Sequence, residues 1–173
     1  QNGSGGNIPA GEVYISPVVG KTEGKIVFDG SISSTSKDML VKNPVCLQVE
    51  NGFITKVYSQ GQSPDSLPEK NSEAKKLLDC IIEAEKSAIQ REKEGKIPAG
   101  SGEILKRNAR NIGELGIGLN PNARITGNML EDEKAFRTCH FAIGQNYDGD
   151  ANALIHLDCL VKNPTIVAFF KDG

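Results

Sequence analysis

The chain has 173 residues, 38% of them hydrophobic, and a formal net charge of −2. That length suits one domain that buries most of its apolar surface without disulfides or a structural metal, so a metal bound here would serve function rather than folding. The near-neutral charge lacks the basic excess that phosphate-backbone binding requires, no apolar run approaches the roughly 20 residues of a membrane span, and the start lacks a secretion signal: neither nucleic acid nor membrane is expected as a partner, and the protein reads as cytoplasmic.

In chain order, Glu12 to Pro17 and Gly24 to Ile32 read as β segments, the second with a turn at Asp29-Gly30. In Val45 to Ser59, Leu47 and Val49 alternate before Glu50-Asn51-Gly52 and Ile54 and Val57 follow it, which suits a hairpin closed by an Asn-Gly turn. From Ser72 to Glu94 the period changes: Ala74, Leu77, Leu78, Ile81, Ala84, Ala88 and Ile89 recur three or four apart, predicting an amphipathic helix that Gly95 ends. Its charged run from Glu83 to Lys96 reads as a solvated face. A short helix near Glu103 to Ala109, a strand from Gly113 to Leu119, a turn at Asn120-Pro121-Asn122 and a short helix from Leu130 to Phe136 follow. Glu131, Asp132 and Glu133 open that helix, where acidic residues suit the macrodipole without a catalytic role. Three strands close the chain, Thr138 to Ile143, Ala153 to Val161 and Thr165 to Lys171, the last two joined tightly at Asn163-Pro164. The expected fold is α+β: a mixed, largely antiparallel sheet with one long amphipathic helix and short helices, in a single domain over residues 1–173.

Cys46, Cys80, Cys139 and Cys159 are widely spaced without a C-x-x-C pair and read as reduced, buried thiols. Cys139 adjoins His140, and neighbours on a strand point to opposite faces, so its thiol should face away from whatever His140 touches. Asp148, Asp150 and Asn152 lack the terminal glutamate of a calcium loop, and no phosphate loop or serine elbow is present.

The chemistry gathers around the two histidines. In Ile155-His156-Leu157-Asp158, strand geometry puts the imidazole and the carboxylate on one face, a convergent pair that zinc, manganese, cobalt and iron(II) accept. A hydrogen-bonded structural pair would look the same. His140 lies in the apolar strand Cys139-His140-Phe141-Ala142-Ile143-Gly144, either as a site residue or as a satisfied core histidine. Glu12 and Glu114 each follow a glycine and lead into an apolar strand, where a charge must find a partner if it is buried. An exposed strand start is the alternative for both.

Four pieces in order carry a resemblance: Asn7-Ile8-Pro9-Ala10-Gly11-Glu12-Val13, Ile112-Gly113-Glu114-Leu115, Glu133 through Gly144, and Ile155-His156-Leu157-Asp158. They resemble the C-terminal, metal-binding part of the thermophilic-type metallo-aminopeptidases, the family of aminopeptidase T and aminopeptidase S. The resemblance implies two divalent ions (zinc, cobalt or manganese) held by Glu12, Glu114, His140, His156 and Asp158. It also implies a metal-activated water that cleaves N-terminal residues from peptides, with Glu12 or Glu114 as general base. Tyr147, seven residues beyond His140, falls where a family tyrosine lines the site and would hydrogen-bond the oxyanion. By the same likeness the chain is the C-terminal part of a longer protein whose N-terminal domain is missing, and a homodimer is compatible with it. The segment between Glu12 and Glu114 is longer than the family's and includes the long helix.

A second class fits the same residues. His140, His156 and Asp158 supply the two-histidine, one-carboxylate set of mononuclear iron(II) oxygenases, and relatives of this fold that open dihydroxypyridine rings are built that way. If both glutamates reach the metal, two ions and hydrolysis follow; if neither does, one iron and ring cleavage follow. The third reading is a non-catalytic binding module with structural histidines.

Overall fold

The computed structural model describes residues 11–170, so Asn7 to Ala10 of the first motif lie outside the described residues. Two antiparallel sheets share one core. The larger contains, side by side, β1 (Glu12–Ile15), β7 (Ile112–Gly118), β8 (Thr138–Gly144), β9 (His156–Lys162), β3 (Ser31–Ile32) and β4 (Met39–Leu40). The smaller contains β2 (Gly24–Phe28), β5 (Val45–Glu50) and β6 (Phe53–Ser59), with β5 between the other two. Among the described residues, three helices complete the α+β architecture: α1 (Glu73–Lys93), α2 (Ser101–Asn108) and α3 (Met129–Asp132).

Local chemistry accounts for the main elements. The β5–β6 hairpin turns at Asn51 and Gly52 with φ of 51° and 81°, the left-handed pair that a two-residue hairpin demands. The N-terminus of α1 is capped by Ser72, whose Oγ accepts the Lys75 N–H at 3.1 Å. Gly95 follows the helix at φ 68°, donating to the Glu92 carbonyl at 2.9 Å. Part of the charged run on α1 has a structural job: the Glu92 carboxylate accepts the N–H groups of Gly100 and Gly102 at 2.6 and 2.5 Å. It thereby caps α2, whose own N-cap residue is a glycine.

The apolar stripe Ala74, Leu77, Ile81, Ala84 packs over the smaller sheet, and the same cluster continues through Phe28, Leu47 and Val49 to Ile112, Ile143 and Leu157 of the larger one. Fully burying one such Leu or Ile contributes about 1.5–3 kcal/mol. One face of the larger sheet is therefore committed to the core, which leaves its other face free for polar side chains.

Three expected elements differ. The Gly24 to Ile32 segment breaks at Asp29-Gly30, so β2 and β3 belong to different sheets; a Cβ at Gly30 would strike the Leu160 side chain. The strand expected from Thr165 to Lys171 is absent over 165–170, where Val167, Phe169 and Phe170 are exposed, and Lys171 lies outside the described residues. Asn163 turns the chain at φ 49°, in keeping with the tight connection expected there, but β9 is already paired on both sides, with β8 and β3, so a returning strand finds no free edge. The helix expected from Leu130 to Phe136 shrinks to the single turn of α3. Asp132 ends up buried, accepting the N–H groups of Thr126 and Gly127 at 2.7 and 2.9 Å.

Candidate metal centre

Strand register assembles the polar face. Glu114 on β7 lies opposite Ala142 on β8, which lies opposite Asp158 on β9. In neighbouring rows stand Tyr14, Gly116 and His140, then Glu12, Gly118 and Thr138, while Gly144 faces His156. Paired residues in an antiparallel sheet share a face, so Glu12, Glu114, His140, His156 and Asp158 all project to one side. The five residues singled out in the sequence are thus brought together. Cys139 belongs to the alternate rows, opposite Ile117 and Val161. Its buried thiol is pushed up to about 11 by burial and the Asp29 charge.

Two backbone devices make the arrangement work. Glu114 is two residues after Ile112 and would share its face on a regular strand, yet Ile112 enters the core. The β7–β8 ladder shifts register between Ile112 and Glu114, with Gly113 as the extra residue, and this bulge sends the carboxylate to the opposite side. A Cβ at Gly113 would run into the Gln145 carbonyl. At Gly116 a Cβ would overlap the His140 imidazole, so the ring lies directly over a strand position that only glycine leaves open.

His140 is 1% exposed; its Nε2 lies 3.0 Å from Glu114 Oε1 and 3.9 Å from Glu12 Oε2. His156 donates from Nδ1 to the Gln145 carbonyl at 2.8 Å. That bond fixes the tautomer and aims Nε2 at Asp158 Oδ1, 3.3 Å away, and at Glu114 Oε2, 3.4 Å away. Burial would raise the Glu114 carboxyl, but hydrogen bonds from His140 and His156 outweigh it and hold the group down at about 2. Burial likewise would lower His156, and the carboxylates of Asp158 and Glu114 reverse this, raising it to about 10. His140 is raised in the same way, burial opposing and Glu114 prevailing.

Nitrogen and oxygen donors converging at 3.0–3.4 Å have the separation that ligands keep around one ion at bond lengths of about 2.1 Å. Glu114 Oε2 is buried with only the 3.4 Å approach of His156 Nε2, which does not complete a well-formed hydrogen bond, an expensive shortfall that a cation would correct. Glu114, His140 and Asp158 form one group able to hold a metal ion, and Glu12, Glu133 and His140 form another. The mixed imidazole and carboxylate donors fit a divalent transition metal.

Glu133 corrects the sequence reading that gave it only a helix-dipole role. It is 9% exposed, past the end of α3, and its carboxyl is raised by burial and by the charges of Glu12 and Asp158. Lys134, not singled out in the sequence, donates to Glu133 and to Glu12 Oε1, the latter at 3.1 Å. Burial lowers its ammonium and the two glutamates more than compensate. The available signal was the acidic-basic pair immediately ahead of the His140 strand, obscured because acidic residues near a helix start already had an explanation.

A cavity of about 320 Å³ opens over the cluster, lined by Glu12, Glu114, Glu133, Lys134, His156 and Asp158 among others. Tyr147 stands at its mouth, 64% exposed, its ring centroid 5.1 Å from that of His156 and 5.2 Å from that of Tyr14. It is carried on a loop that Asn146 organises by accepting the N–H groups of Gly149 and Ala151.

No protein-family model matches the chain, and no curated protein matches it in sequence. Solved structures do. One is a 2,5-dihydroxypyridine dioxygenase from Pseudomonas putida KT2440, with a TM-score of 0.58 and 20% identity over 87% of this chain and 38% of that one. Another is AmpT, aminopeptidase T, from Thermus thermophilus, with a TM-score of 0.53 and 16% identity over 87% of this chain and 33% of that one. The chain spans about a third of the length of each of these proteins. What it shares with them is a fold, common to an aminopeptidase and a dioxygenase, that here gathers buried glutamates and histidines able to hold a metal ion.

Proposed function

We propose that the cluster is the metal centre of an aminopeptidase that removes N-terminal residues from peptides. The observation that carries this reading is the charge of the cavity. Among the described residues, four carboxylates, Glu12, Glu114, Glu133 and Asp158, line it against one ammonium, that of Lys134. With the carboxylates ionised and the histidines neutral, a divalent ion still leaves one negative charge uncompensated, and the free α-ammonium of a peptide would balance it. An anionic aromatic diol would add to the surplus instead. The resemblance of the four sequence pieces to the metallo-aminopeptidases supports the same choice.

A divalent ion held by Glu114, His140, His156 and Asp158 would supply Lewis acidity toward the scissile carbonyl and lower the pKa of a bound water. The chain's own groups do the rest. The Gln145 carbonyl keeps the His156 ring turned so that Nε2 faces the cluster. Glu133, a carboxylate whose affinity for a proton is raised by burial, is suited to take one up at the oxygen that Lys134 does not hold. The Tyr147 hydroxyl, kept protonated by burial and the nearby Glu114 and Asp158 charges, is a donor for the oxyanion that forms at the carbonyl.

The test is release of chromophore from an aminoacyl anilide by the full-length protein loaded with cobalt or zinc. Cleavage is expected with the free amine and not with its N-acetyl derivative. No cleavage of either, or equal cleavage of both, would reject the aminopeptidase. A second reading, the iron(II) ring-cleaving dioxygenase, is favoured by one specific observation: Glu12 is engaged by Lys134, while His140 and Asp158 fall in one group able to hold a metal ion and His156 Nε2 lies 3.3 Å from Asp158 Oδ1. Oxygen uptake with an aromatic diol after anaerobic iron loading would identify it.

A further inference from the structure

We infer that Lys134 is a built-in cation that takes the place of a second metal ion, so that this centre binds one divalent ion rather than a pair. The inference rests on the reading of the cluster as a metal centre and sets its stoichiometry. Two groups of donors could each hold an ion, and they share His140. The first, Glu114, His140 and Asp158, is joined by His156 and, among the described residues, has no ammonium in contact. The second, Glu12, Glu133 and His140, is already bridged: Lys134 Nζ donates to Glu133 Oε1 and to Glu12 Oε1 at 3.1 Å. Lys134 holds Oε1 of each glutamate, so those atoms reach a metal only by displacing the ammonium, and a second cation brought beside that ammonium in so small a space is strongly repelled.

Lys134 is also poorly placed to leave. Its side chain is only 15% exposed. Its backbone carbonyl accepts the Asn120 N–H at 2.8 Å, the Phe136 N–H donates to the Asn120 carbonyl at 3.0 Å, and Ala135 between them is buried. The lysine is therefore delivered from a pinned segment rather than from a loose loop. Swinging it out would leave Glu12, Glu133 and their charges buried and facing each other without a counter-ion. The arrangement neutralises part of the carboxylate cluster before any metal arrives, which favours a single, defined ion position.

The experiment is a metal count on the full-length protein, stripped with chelator, titrated with cobalt or zinc in a calorimeter and checked by elemental analysis after gel filtration. One ion per chain is expected for the wild type and for Lys134→Arg, which keeps the cation. Lys134→Met, with native circular dichroism, should rise to two. Two ions in the wild type would overturn the inference while leaving the metal centre intact, as would a folded Lys134→Met protein that still binds one. No ion in the wild type would reject the metal centre itself and the inference with it. The wild-type count decides the matter even if a variant fails to fold.

Discussion

Gly116 shows how closely single residues define this cluster. Its missing side chain is the floor on which the His140 imidazole rests. Gly116→Ala should displace the ring, costing about 1–3 kcal/mol as an overpacked site and weakening metal binding at least tenfold; thermal unfolding with and without zinc measures both. The Glu114–His156 pair makes a pH-dependent expectation. Glu114 is held down at about 2, so its contribution to stability is present above its ordinary value near 4.5 and is lost as pH falls toward 2. His156 is raised to about 10, so its contribution is present below 6.5 and is lost as pH rises from there through 10. In chelator the melting temperature should therefore decline above pH 6.5. A metal ion must displace the proton on His156, so its affinity should rise over the same range by up to tenfold per pH unit, a trend that titration calorimetry at several pH values would reveal. At this scale the sequence was readable where side-chain alternation decides, as for His156 and Asp158. It was silent on Lys134, because a lysine reveals nothing of its target until the turn after α3 carries it to Glu12, 122 residues away.

Elements add what alternation alone cannot. A regular β7 would put Ile112 and Glu114 on one face, burying either a charge in the core or an isoleucine in the cavity. The Gly113 bulge separates them. Deleting Gly113 should restore the regular ladder and turn either Glu114 or the strand's core residues the wrong way, abolishing metal binding and costing several kcal/mol; the readouts are ion titration and a denaturant midpoint. The long helix and the Asn-Gly hairpin were legible because period and turn chemistry are local. The final strand was misread for a non-local reason: Ile166, Val167, Phe169 and Phe170 have strand-like composition, but pairing depends on whether a neighbour has a free edge, and β9 has none. The same local logic overextended α3: Asp132, its last residue, accepts the N–H groups of Thr126 and Gly127, and Glu133, just past its end, is engaged by Lys134.

For the whole molecule, the larger sheet works as a partition. Its inner face joins the core with the smaller sheet and α1, while its outer face carries the charged cluster. Rigid strands, rather than loops, hold four of the five ligand candidates over β7, β8 and β9, and β1 supplies the fifth. Such a site is preorganised at the expense of close like charges, so an ion should stabilise the fold by about 2.7 kcal/mol at a concentration 100 times its dissociation constant. The most direct measurement is the anomalous scattering of a crystal of the protein grown with cobalt or zinc. The expected result is a single peak within bonding distance of Glu114, His140, His156 and Asp158, with Lys134 still on Glu12 and Glu133. No peak there, or a metal bound elsewhere while the cluster stays empty, would contradict the account.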